Sequence, residues 1–162
     1  MHLRSVELEV PNSAAAAAFF KSPWGLIDAG TRNDTAYLRG TAGHAYIVAV
    51  KEASANAFAS ATFSGTKAEV EALFAAVEKA GLPHGAWVNE FDEPGRGAGF
   101  YVTGPEGEPY RFLTEKDATG KLPSQPHHPL QLAHVVFNTC DREAGTRTLT
   151  DVFGFKLSDR TR

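Results

Sequence analysis

One order of segments, a strand followed by a helix and then several strands, runs through the chain twice and begins a third time, and any fold must accommodate that repetition. The first pass opens with LRSVELEV (3–10), whose alternation of apolar and polar residues fits a half-buried strand. PNS follows, where Asn12 or Ser13 can cap a helix of alanines reaching to about Lys21. SPWG ends that helix, because Pro23 lacks an amide donor and Gly25 relaxes the backbone. TAYLRG and HAYIVAV then read as strands joined by a tight turn around 41–43. The second pass begins with NAFASATFSG (56–65) as a strand. TKAEVEALFAAVEKAG is the clearest helix in the chain, with Val70, Leu73, Phe74 and Val77 on one face and Gly81 as its stop. After a charged, glycine-rich loop, GFYVTG and PYRFLTE form two further strands across the turn PEGE.

Residues 1–116 therefore hold two β-α-β-β-β modules. Residues 117–130, with three prolines and few large apolar side chains, read as a linker. QLAHVVFNTCDREAGTRTLTDVFGFKLSDRTR (131–162) starts the pattern again as a β-α-β piece. A shift of 129 positions lays Leu3 on Leu132, Val6 on Val135, Ala15 on Ala144 and Gly25 on Gly154, and it puts His134 where the first pass has Ser5. The expected fold class is α+β: paired modules, two complete and the first β-α-β of a third.

At 162 residues and 43% hydrophobic, the chain can build a core of its own. A formal charge of -3 without a basic run argues against nucleic acid as a partner. A single cysteine, Cys140, rules out an internal disulfide framework, and no apolar run is long enough for a membrane span. The expected location is the cytoplasm.

LAHVVFNTCDREAGTRTLTDVFGFKLSD resembles the start of the metal-bearing domain of the vicinal oxygen chelate superfamily, with its closest look to type I extradiol ring-cleavage dioxygenases of the catechol and dihydroxybiphenyl class. The His in LAHVV, the NTCD helix start and VFGFKLSD at the helix-to-strand turn carry the likeness. The resemblance implies a metal-free first domain (1–116), a linker (117–130) and the beginning of a metal-bearing second domain (131–162), around a curved sheet with an open-sided cavity. It also implies Fe(II), or Mn, held by two histidines and a glutamate, with an aromatic diol and O2 as substrates. Imidazole and carboxylate suit such an ion. His134 matches the first ligand position. The other two ligands are absent, so this chain is expected to bind no metal and to be inactive alone. In the first domain the matching positions are Ser5, a residue near Asn56, and Arg111, four residues beyond Gly107. None of these suits a metal.

Other candidates carry less. His127 and His128 are adjacent in an extended linker and point to opposite faces. His44 and His84 are expected to face solvent, and GRGAG (95–99) to form a mobile hairpin rather than a phosphate loop. Cys140 sits at a helix start without a partner base. A two-strand piece such as 131–162 cannot bury enough surface alone, so a homo-oligomer formed through it is expected. An alternative reading is a metal-free small-molecule binding protein of the same superfamily. A weaker one completes a metal site across a dimer with Glu143 or Asp159.

Overall fold

The computed structural model describes residues 1–117 and 119–159. Seven strands, β1 (His2–Val10), β2 (Ile27–Arg32), β3 (Thr35–Arg39), β4 (Val48–Glu52), β5 (Ala57–Ser64), β6 (Ala98–Thr103) and β7 (Pro109–Thr114), make one mixed sheet. Their order is β2-β3-β4-β1-β5-β7-β6. At its centre β1 and β5 run antiparallel. Each also pairs in parallel with the last strand of its own unit, β1 with β4 and β5 with β7. This is the expected α+β class, and the two passes of the sequence are its two halves.

Helix α1 (Ser13–Lys21) starts where Asn12 accepts from the Ala15 amide, and α2 (Lys67–Ala80) starts with a capping box between Thr66 and Glu69. Both lie on one face of the sheet. Val6 and Ala61 are opposite each other in the β1–β5 register, and they belong to the apolar clusters under α1 and α2 respectively. Helix α2 buries Val70, Leu73 and Val77, as its periodicity predicts, against Phe100, Val102, Tyr110 and Phe112. No helix among the described residues is long and apolar enough to cross a membrane.

Three segments differ from the sequence expectation. Strand β2 was not anticipated; it pairs with β3 through Asn33–Asp34, both at positive φ (47° and 60°), the conformation of a tight hairpin turn. In the second unit, the strand that would match β2 is reduced to two isolated bridges, His84 to Val102 and Val88 to Gly99. The glycine loop at 95–99 is not a free hairpin: a Cβ on Gly99 would lie 2.0 Å from the Phe112 carbonyl, and the Phe91 and Lys116 amides bond to Gly97 and Gly95.

The third pass is present but docked rather than paired. Residues 131–139 form no ladder, because both edges of the sheet, β2 and β6, lie elsewhere. The segment instead crosses the helix face, with Val135 and Phe137 packed on the α2 cluster and Leu132 on the α1 cluster. Helix α3 (Arg142–Arg147) continues into a π turn over Thr148–Val152. Phe153 is 3% exposed, wedged 5.2 Å from Tyr110 and 4.9 Å from Phe112. Thus the piece finds its burial within one chain.

The repeat holds in atomic detail. Asn12 accepts from Ala15, and Asp141 from Ala144, both at 2.9 Å. The Leu26 amide closes on Phe20 and the Phe155 amide on Leu149. Gly25 and Gly154, at φ 69° and 71°, take the left-handed conformation that ends each helix. All these pairs are 129 residues apart.

Phe112, fully buried, is the ring that joins α2, the sheet and the docked segment. Phe112→Ala is expected to cost about 3–5 kcal/mol, read as a lowered urea midpoint with an unchanged slope.

Candidate functional site

The face of the sheet away from the helices is polar and buried. Side chains alternate along a strand, so the residues between the core positions of β1, β5 and β7 all point there. Ser5 pairs with Thr62, and Thr62 pairs with Arg111, in consecutive registers across the three central strands. The β5 member of this row is Thr62 and not Asn56, which is exposed in the loop before the strand.

Arg111 is 2% exposed, and every arm of its guanidinium is engaged. Its Nε donates to Thr62 Oγ1 (2.9 Å), Nη1 to Glu93 Oε2 (2.7 Å) and Tyr101 Oη (3.2 Å), and Nη2 to Tyr46 Oη (2.6 Å). The Tyr46 hydroxyl donates in turn to Glu93 Oε2 (2.6 Å). Arg4, also buried, donates to Glu93 Oε1 (3.2 Å), Glu115 Oε1 (2.9 Å) and Ser5 Oγ (3.3 Å), and it lies 3.9 Å above the Tyr46 ring. Two guanidiniums thus share two carboxylates. The loop that looked mobile in sequence delivers Glu93 to the centre of the lattice.

Electrostatics follow from this packing. Burial would lower the Arg111 guanidinium, but Tyr46, Glu93 and Tyr101 outweigh it and hold it well above its ordinary value. Burial, partly offset by the two arginines, pushes the Tyr46 phenol up to about 12. Burial alone would also raise Glu115; the His44 ring, Arg4 and the Ala45 amide reverse this and bring it down to about 2. His44 is therefore not solvent-facing: its side chain is 14% exposed, 4.0 Å from Glu115 and 5.2 Å from the His2 ring.

A divalent ion does not fit this row. Its members are two hydroxyls and a cation that already has its counter-charge, and among the described residues no three His, Cys, Asp or Glu side chains could hold a metal. His134 is exposed on the docked segment, at the mouth of a cleft of about 260 Å³ lined by Leu3, Phe63, Tyr110, Phe137, Leu149 and Phe155. Val135 and Phe137 turn toward the core, and His134 and Val136 turn away from it. His128 is tied to the first unit through the Gly25 carbonyl (2.6 Å), and His84 and Cys140 are exposed.

This fold matches solved structures. A Mn(II)-bound glyoxalase from Novosphingobium aromaticivorans superposes with a TM-score of 0.90 at 25% identity, over 97% of this chain and 54% of that one. The chain has the vicinal oxygen chelate fold. The 2,3-dioxygenase LapB from Pseudomonas sp. KL28 (TM-score 0.85, 19% identity) is matched over 94% of this chain and 58% of its own. Homoprotocatechuate 2,3-dioxygenase from Arthrobacter globiformis (TM-score 0.82, 24% identity) is matched over 98% and 51%. The chain therefore spans about half the length of the structures it matches. No family model and no curated protein matches the sequence.

The register of Thr62 between Ser5 and Arg111 could have been found by counting back from the strand end at Ser64. Glu93 gave no signal, since its role depends on how its loop folds.

Two outcomes are expected from the lattice. Glu93→Ala, which leaves Arg111 buried without a carboxylate, is expected to cost about 3–5 kcal/mol in urea unfolding. Glu115 is depressed from 4.5 to about 2, so its contribution is present above pH 4.5 and is lost as pH falls toward 2. Stability against pH is therefore expected to fall more steeply across that window in the native chain than in Glu115→Gln.

Proposed function

We propose that residues 1–162 are the first half of an extradiol ring-cleavage dioxygenase. In this reading residues 1–116 are a metal-free domain, 117–130 connect it, and 131–162 begin the domain that carries the ion. The observation that supports it is the repeat: His134 stands at the place Ser5 holds in the first unit. The fold shared with two 2,3-dioxygenases, and the chain's coverage of about half of each, agree with it.

His134 would be the first ligand of Fe(II), with Mn as the alternative ion, and the diol and O2 would bind at a centre completed by residues outside this chain. The ion would supply coordination of both substrates. No step of that chemistry falls to the described residues, among which no three His, Cys, Asp or Glu side chains could hold the ion and Arg111 closes the central row. What these residues do is form the first half of the fold and hold the docked segment that bears His134. Fe(II) specificity, an aromatic diol as substrate and assembly into a homo-oligomer belong to this proposal.

The test is a colour assay. Supplied with Fe(II), O2 and catechol or 2,3-dihydroxybiphenyl, the 162-residue chain is expected to form no yellow ring-fission product. The gene product isolated from its own organism is expected to form it, and to lose it on His134→Ala. Turnover by the 162-residue chain, or none by the native product, would overturn the proposal.

A further inference from the structure

The segment bearing His134 is fastened to the sheet at two points, one on each side of that histidine. On its N-terminal side the Thr41 and Ala42 amides donate to the Pro129 and Leu130 carbonyls (2.9 and 3.0 Å). The fit is close: a Cβ on Gly40 would stand 2.3 Å from the Leu130 oxygen. On its C-terminal side the contact is a single side chain. Glu106, at the tip of the β6–β7 turn, accepts from the Cys140 amide (2.8 Å), the Asp141 amide (2.9 Å) and the Thr139 hydroxyl.

From this geometry we infer that Glu106 is a positioning residue, a latch that holds the start of α3, and with it the docked segment carrying His134, against the first two units. The inference rests on the proposed function only in naming His134 as the group positioned; the latch itself is a matter of contacts. A carboxylate that accepts several N–H and O–H bonds is a strong, directional acceptor. The atoms it binds are the free donors just before α3, the end of a helix that favours negative charge. Asp141 already satisfies the Ala144 amide one turn further on, so Glu106 takes the donors that the intrinsic cap leaves. The turn that presents Glu106 is itself set by the Glu106 amide on Glu108 (2.9 Å) and by the Gly104 amide on the Glu108 carbonyl (2.8 Å).

Apolar contact alone would leave the segment free to shift along the sheet, since hydrophobic burial is non-directional. Phe137 and Phe153 supply that burial; Glu106 sets the register on the C-terminal side, as the Pro129 and Leu130 bonds do on the other. The PEGE turn, read in sequence only as a strand connection, is then a docking element.

Amide hydrogen exchange on the 162-residue chain tests this directly. In Glu106→Ala the amides of Cys140 and Asp141 are expected to exchange about 10-fold faster or more, as loss of bonds to a charged acceptor implies. Protection through 142–152 should fall with them, while β1, β5 and β7 keep theirs. Glu106→Gln, which retains an acceptor oxygen, is expected to recover part of the protection. Unchanged exchange in Glu106→Ala would overturn the inference. So would uniform loss across the sheet, which would make Glu106 a stabiliser of the first two units instead. The exchange pattern reads the latch whatever reaction the protein performs, and the ring-cleavage assay reads the proposed function whatever the latch does.

Discussion

Two arginines buried beside Glu93 set the terms for the rest of the molecule. Taking a guanidinium out of water is costly unless its donors and its charge are both met. Here both are met: Arg111 and Arg4 divide Glu93 and Glu115 between them, and Tyr46 and Tyr101 fill the remaining directions. The loop at 89–97 must close over the sheet to bring Glu93 in, and β1, β5 and β7 must hold one register for Ser5, Thr62 and Arg111 to line up. The cation at the centre of this face is part of the polypeptide. Its counter-charge is already supplied by Glu93.

The two faces of the sheet are built differently. The helix face of the sheet is apolar in both passes. In the first two units the side chains of the opposite face form a closed ionic lattice. In the third the equivalent of Ser5 is His134, turned away from the core and exposed.

Much of the fold was legible because it rests on local signals. The face of α2, the cap at Asn12 and the helix-ending glycines are read from a few adjacent residues, and the offset of 129 relates two such sets. Strand β2 was missed because IDAGTR has weak alternation, although Asn33–Asp34 marks its turn. The strand expected at LAHVV failed for a different reason. A strand is defined by its partner, and the residues of 131–139 have the right pattern but lie across the sheet rather than beside an edge. Arg111 was legible as an unfit metal ligand; that it anchors a lattice was not, because Glu93 and Tyr46 come from distant loops. Glu106 was hidden for the same reason.

The central face carries a buried guanidinium, and among the described residues no three side chains could hold a metal ion. Titrating the 162-residue chain with Mn(II), and following the free ion by its electron paramagnetic resonance signal, tests that claim most directly. The predicted result is a signal that grows in proportion to added Mn(II), with no stoichiometric loss at micromolar protein. One equivalent of ion bound tightly, and released by His134→Ala or by substitution of Glu93, would contradict it.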